Sequence, residues 1–348
     1  MIKDLIKNND KLYFIARVLK NGKDKDFRRW VTDITDSPSI VRVENFGDKN
    51  PDKLFYLIDI DDDGAHSGFF SLLNGTVKRL ELADRLGAIP YIRWINTPYS
   101  NEINNSNTYS IFFDEISDDG YEEILQSRNV IISRPQDGFE RDESRVYAEK
   151  SGYLEQMGDL YRKYIRLKPE LAHRIDSDQS KLGNGYLNHT IGIHVRGTDY
   201  RQSLKGHPKA IMYEEYAEAV DEMLKEYPDH NIFLATDDKG AIDYFSDRFG
   251  EKICYYEDVF RGDSDLGIHY MNGKRDDHAF RLGYEVLRDT DTLSRCDVLV
   301  AGVSFVSFTA REMKASRQEL YSKVNIINHG INKNGTTSAG FNKKFNKR

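Results

Sequence analysis

The sequence is short of cysteine, of long apolar runs and of positive charge, and each shortage closes off a class of function. Its two cysteines, Cys254 and Cys296, have no metal-type spacing. They read as buried thiols of a reducing compartment. No stretch approaches the roughly 20 apolar residues of a membrane-spanning helix, and the opening MIKDLIKNNDK lacks the apolar core of a signal peptide. A cytoplasmic protein is expected. A net charge of -7 is wrong for a nucleic-acid binder that relies on bulk electrostatics, so no nucleic-acid partner is expected. Neither a P-loop GxxxxGKS/T nor a GxGxxG occurs, which leaves kinase and dinucleotide readings without a motif.

What is present suits a soluble enzyme. A chain of 348 residues can bury two cores, and 12% aromatic with 31% charged residues is a globular rather than a disordered profile. Tyrosine, with 21 copies, is in excess. Most of these serve an ordinary core, but Tyr also suits a surface that meets a sugar or a base. A polar stretch, DSDQSKLGNGYLN from Asp176 to Asn188, reads as a boundary. It divides an N-terminal α/β domain (1–180) from a C-terminal one (181–330), and the polar residues 331–348 read as a mobile tail.

The second half alternates strand and helix. Strands are expected at Ile191–Val195, Asn231–Ala235, Lys252–Tyr256, Asp297–Ala301 and Val324–Ile327 from their β-branched, apolar content. Helices are expected at 213–226, 239–249, 278–294 and 305–318, with Gly250 stopping the second. The pattern implies a doubly wound parallel sheet. In the first half, strands near Leu54–Ile60 and Ile89–Trp94 flank a helix over 71–86, one further βαβ unit. Two such halves facing each other across a cleft would bind two substrates.

In an open parallel sheet ligands bind beyond the carboxyl ends of the strands. The first strand of the second half ends in His194, Arg196 and Asp199, the second in Thr236, Asp237 and Asp238, and the fourth runs into Ser304, Phe305 and Ser307 at a helix start. Arg196 can grip a diphosphate through its planar fork. The helix start offers free N–H groups to phosphate, with Ser304 and Ser307 as further donors. Each residue alone has a plainer role, such as an ion pair, a buried imidazole or a helix cap. Their serial arrival at one rim is what points to a site.

At these residues the sequence resembles a known group. IGIHVRGTDY, IFLATDD and DTDTLSRCDVLVAGVSFVSFTARE resemble, in order, the three motifs of the α1,6-fucosyltransferase superfamily, which includes nodulation and protein O-fucosyltransferases. GFFSLLNGTVKRLELADRLGAIPYIRW and NTYSIFFDEIS look more loosely like the acceptor-side half of bacterial relatives. The resemblance implies a GT-B fold of two Rossmann-like doubly wound domains, a GDP-fucose donor, inversion and no metal or other cofactor. It makes Arg196 the catalytic, diphosphate-binding arginine. His194, Asp199, Asp237, Asp238, Ser304, Phe305 and Ser307 become donor-binding, and Asp289 the reader of guanine. The partners it implies are a nucleotide sugar and a glycan acceptor, and a lipid-linked acceptor would bring the protein to a membrane surface. Two positions depart from the pattern: Gly197 stands where many relatives have a second arginine, and no Asp or Glu lies between Tyr200 and Tyr213. The catalytic base is thus unassigned. The Gly-Thr-Asp-Tyr ending also resembles the HxRRGDY of α1,2-fucosyltransferases, so the linkage is open.

Other patterns fall away. Asp59 to Gly64 begins like a calcium loop, but its twelfth position is Phe70, not Glu. Asp59-x-Asp61 and Asp289-x-Asp291 match the DxD of metal-dependent transferases, yet such pairs arise by chance among 57 acidic residues. Gly302-Val-Ser304 resembles a hydrolase elbow without its second glycine, which is Val306. The alternatives are a serine hydrolase with Ser304 as nucleophile, and an inactive protein that binds a nucleotide sugar.

Overall fold

The structure, a computed structural model, describes residues 40–62, 66–100, 107–133, 152–182, 187–271, 273–338 and 340–341, with residues 12, 15, 16, 19 and 20. The opening MIKDLIKNNDK and, in the acidic run, Asp63 and Gly64 lie outside the described residues. Main-chain packing divides the chain into two units. One holds Met1–Asp61, Leu72–Ile95 and Asn107–Glu140, the other Asp62–Ser71, Asn96–Ser106 and Arg141–Arg348.

The first unit is a four-stranded sheet. Strands β1 (Ile40–Glu44), β2 (Phe55–Asp61), β3 (Ile89–Ile95) and β4 (Val130–Ser133) lie in the order β1-β4-β2-β3. β2 pairs in parallel with β3 and β4, while β1 runs antiparallel to β4. The expected βαβ unit is present, with α1 (Phe69–Leu86) as its crossover, and the single turns α2 (Tyr109–Phe112) and α3 (Tyr121–Ile124) follow β3. β1 and β4 carry no mark in the sequence, because strands of five and four residues are too short for periodicity to show. Asn107 fastens the end of β3, donating to Ile92 O at 2.7 Å and accepting from Trp94 N at 2.9 Å.

The second unit is a five-stranded, wholly parallel sheet. β5 (Thr190–Val195), β6 (Asn231–Thr236), β7 (Ile253–Cys254), β8 (Val298–Gly302) and β9 (Lys323–Ile327) take the order β7-β6-β5-β8-β9. Every residue of β5 and β8 is buried, as strands covered on both faces require. Its crossovers are α6 (Tyr213–Glu226), α7 (Lys239–Phe249), α8 (His278–Arg295) and α9 (Phe305–Ser316). The order reverses between β5 and β8, the switch point at which doubly wound sheets open a crevice. The expectation for this half therefore holds, although β7 is shorter than its apolar run.

Two further helices correct the boundary placed near residue 180. α4 (Tyr153–Tyr164) and α5 (Pro169–Lys181) precede β5 and belong with its unit. α4 crosses α9 so closely that a Cβ on Gly158 would lie 2.7 Å from the Ala315 main chain, which only glycine allows. Residues 176–181, the first part of the run that reads as a boundary, are the last turn and a half of α5. Its polar groups are engaged by α8: Asp178 pairs with Arg288 at 2.7 Å, and Gln179 donates to Asp291 at 2.7 Å. A polar helix face paired inside the fold reads, in sequence, like a solvated loop.

The tail is also not loose where it is described. Lys209 N donates to Gly330 O at 2.9 Å, Gly206 N to Asn332 O at 2.9 Å and Lys205 N to Thr336 O at 3.0 Å. Residues 330–336 thus form a strap on the segment after the β5 turn, and His207 Nε2 meets Ser338 Oγ at 2.7 Å. Backbone pairing of this kind leaves no hydrophobic trace in the sequence.

Candidate active site

The turn after β5 sets the first part of the site. Val195 is the last buried strand residue, and Thr198–Gln202 close a single 3-10 turn. Arg196 lies between them, with one terminal nitrogen 2.8 Å from Asp199 Oδ1 and the other 2.8 Å from Asp237 Oδ2. Burial disfavours its charge, but Asp199 and Asp237 outweigh burial and hold the guanidinium firmly protonated. A guanidinium carries five donors, so these two ion pairs orient it and leave further N–H groups for a ligand.

The end of β6 is the frame for that turn. Asp237 accepts from Gly197 N at 3.0 Å and from Thr198 Oγ1 at 2.7 Å. Asp238 caps α7 by accepting from Gly240 N at 3.1 Å, and also takes the Tyr213 hydroxyl and Arg201. Both carboxylates, expected to bind the donor, are engaged by the protein's own backbone and side chains. Asp237 thereby positions Arg196, while Asp238 holds Tyr213 and Arg201. Asp199 has the same character: burial opposes its charge, but Arg196 and then His269 pull its pKa below the ordinary carboxylate range.

β8 brings the third part. Ser304 is the N-cap of α9, its Oγ accepting from Ser307 N at 3.1 Å, a cap worth about 1 kcal/mol. The same Oγ lies 3.2 Å from His194 Nδ1, joining β5 to β8 across the switch point. Burial, then Arg196, push His194 down to about 4 against the pull of Asp237, so the imidazole is neutral at pH 7. Ser307, expected to bind the donor, is fully buried, and its hydroxyl donates to Gly302 O at 2.8 Å. Phe305 opens the helix with its ring edge-on to Phe308. Free N–H groups of the first turn of α9, with the dipole behind them, favour an anion here.

Asp289 stands apart from this cluster, on α8. It is buried, and its Oδ1 has no hydrogen-bond partner among the described residues. Burial raises its pKa to about 7, against the opposing pull of Arg261 and Arg288. The neighbouring Asp291 of the DxD pattern is taken instead by Gln179 at 2.7 Å and Arg295 at 2.8 Å. Residues two apart on a helix do not share a face, so this pair does not act as one ligand set. Among the described residues no group of three His, Cys, Asp or Glu side chains is arranged to hold a metal ion. No helix among them is long and apolar enough to cross a membrane.

Several residues of this rim were not foreseen. Gly262, after β7, pairs with the end of β6 through Gly262 N to Asp237 O and Lys239 N to Gly262 O, both 2.9 Å. That contact brings the loop with Arg261, and beyond it His269, to the site. His269 is in the electrostatic field of Asp199, Arg196 and Asp237, and burial with Arg196 lowers it to about 4. Arg201 holds Asp238 and Asp265 together. No motif marks these residues, because they reach the rim through the strand order and not through local sequence.

No family model matches the chain, and no curated protein matches it. Among solved structures the chain is similar to NodZ alpha-1,6-fucosyltransferase soaked with GDP-fucose, at 19% identity over 75% of this chain and 93% of that one, TM-score 0.44. It is similar to fucosyltransferase NodZ from Bradyrhizobium at 17% identity, over 74% and 92% of the two chains, TM-score 0.41. POFUT1 in complex with GDP-fucose is similar at 10% identity, over 80% and 99%, TM-score 0.45.

Proposed function

We propose that the protein is an inverting glycosyltransferase of GT-B type that moves a sugar, fucose, from GDP to a glycan acceptor without a metal. The observation that carries this reading is Arg196, fixed by Asp199 and Asp237 at the switch point of a parallel sheet and next to the N-terminus of α9. In glycosyl transfer the anomeric carbon gains positive character while negative charge grows on the departing diphosphate. Preorganised donors stabilise that charge most where it develops. Arg196 and the first-turn N–H groups of α9 are such donors, and His194, kept neutral, can donate to a phosphate oxygen without titrating. The buried, unpartnered Asp289 supplies a carboxylate acceptor for the adjacent N–H donors of a guanine edge.

The test is thermal denaturation against a nucleotide panel with EDTA present, since a ligand that binds the folded state raises Tm by linkage. GDP and GDP-fucose should raise Tm, and UDP, CMP and NAD should not. A response to UDP-sugars instead, or one abolished by EDTA and restored by Mn²⁺, would refute the donor or the metal-free mechanism respectively.

One observation favours a second reading. The Ser304 Oγ to His194 Nδ1 distance of 3.2 Å is the start of a Ser-His pair. Against a hydrolase, that same Oγ is the acceptor that caps α9, and Asp237, the acid whose charge acts on the imidazole, is paired with Arg196. An inactive nucleotide-sugar binder differs from the enzyme only in turnover, so sugar release from GDP-fucose separates the two.

A further inference from the structure

We propose that Arg261 and Asp289 form one purine-reading pair, in which Arg261 donates to the O6/N7 edge of guanine while Asp289 accepts from N1–H and the 2-amino group. The proposal rests on the reading of this unit as a GDP-sugar site and names the residue that would complete its base specificity.

Two buried polar atoms carry it. Asp289 Oδ1 and Arg261 Nε both lack a hydrogen-bond partner among the described residues. The loop of Arg261 is bonded to α8 through Phe260 N and Glu285 Oε2 at 3.1 Å, and each of the two side chains is the foremost charge opposing the burial of the other. Yet no ion pair or hydrogen bond joins them among the described residues. Opposite charges left unsatisfied in a low-dielectric site are costly, and a protein without a ligand to place there would gain by closing the gap.

Arg261 is held out by its own loop. Its terminal nitrogens donate to Tyr256 O at 2.8 Å and Val259 O at 3.3 Å, and the guanidinium lies 5.3 Å from the Tyr255 ring centre. The loop is pinned on both sides, by Phe260 N to Glu285 Oε2 at 3.1 Å and by the Gly262 bonds to the end of β6. Nε–H and one N–H on each terminal nitrogen remain for a ligand. Guanine alone among the common bases offers acceptors at O6 and N7 beside donors at N1 and N2. Adenine would keep the N7 acceptor but place its 6-amino donor against the guanidinium and the N1 acceptor against the carboxylate, leaving Asp289 unpaired and Arg261 with half its contact.

The experiment is calorimetric titration of the full-length protein with GDP, 6-thio-GDP, 7-deaza-GDP and IDP. The wild type should bind 6-thio-GDP or 7-deaza-GDP about tenfold or more weakly than GDP, the order of a lost base contact. Arg261→Met should bind GDP as weakly as it binds those two analogues, while the GDP to IDP ratio, which reads Asp289, stays as in the wild type. Equal wild-type affinity for GDP, 6-thio-GDP and 7-deaza-GDP would overturn the proposal whether or not the variant folds. So would an Arg261→Met protein that weakens all four nucleotides and inorganic pyrophosphate equally, since that marks a scaffold for the loop. A wild type that binds GDP no better than ADP would instead remove the GDP-sugar reading itself.

Discussion

One terminal nitrogen of Arg196 lies 2.8 Å from Asp237 Oδ2, and this ion pair locks the end of β5 to the end of β6. The same carboxylate also holds Gly197 N and Thr198 Oγ1. The arginine is therefore presented by a rigid frame, at low reorganisation cost when charge develops beside it.

Arg196→Lys and Arg196→Ala are both expected to lose most turnover, with smaller changes in GDP affinity. Lysine keeps the charge but not the planar fork that meets two carboxylates and a ligand together. Loss of one preorganised donor costs about 3–4 kcal/mol, on the order of a hundredfold or more in kcat. Steady-state kinetics on folded variants checks this. If Ser304→Ala abolished activity while Arg196→Ala kept it, the hydrolase reading would stand instead.

Asp289 sets a pH dependence whose sign can be worked out. Its folded pKa is raised from the ordinary carboxylate value of about 4 to about 7, so in that window the folded state holds a proton that the unfolded chain releases. In the unliganded protein the contribution of Asp289 to stability is fully present below about pH 4 and falls as pH rises to about 7, by up to about 4 kcal/mol. Asp289→Asn stays neutral, so its Tm should exceed that of the wild type increasingly from pH 5 to 8. GDP binding should run the other way, tightening in the wild type as the carboxylate forms and staying weak in the variant. Tm and Kd measured across that range decide it, and parallel curves for the two proteins would contradict the assignment.

Gly197 should resist restoration of the arginine found in the resembling family. A Cβ there would lie 2.3 Å from both Cβ and Oδ2 of Asp238, a side chain already held by Tyr213, Arg201 and Gly240. Gly197→Ala is expected to destabilise by about 1–3 kcal/mol, the range for overpacking, and Gly197→Arg by at least as much. Chemical denaturation measures it directly. An unchanged midpoint would show that the end of β6 yields more readily than its bonding suggests.

Much of the second unit was legible in sequence. Apolar runs marked β5, β6 and β8, and the polar residues after each run marked the rim, because both signals are local. The roles within the rim were less legible. A motif shows Asp237, Asp238 and Ser307 at the rim but not the partners each of them has within the fold. The C-terminal end of α5 reads as part of a boundary and residues from 331 on as a mobile tail, since paired polar faces and backbone strapping have no periodicity of their own.

By itself the sequence determined which residues stand at the ends of the strands, since strand runs, helix stops and the Arg196 turn are written in consecutive residues. Only the tertiary structure decided which of those ends meet. The order β7-β6-β5-β8-β9 places His194 against Ser304 and Arg196 against Asp237, and it brings the loop of Arg261 within the field of Asp289. The physical reason is that charge and hydrogen bonding act over a few ångströms of space, whatever the separation along the chain.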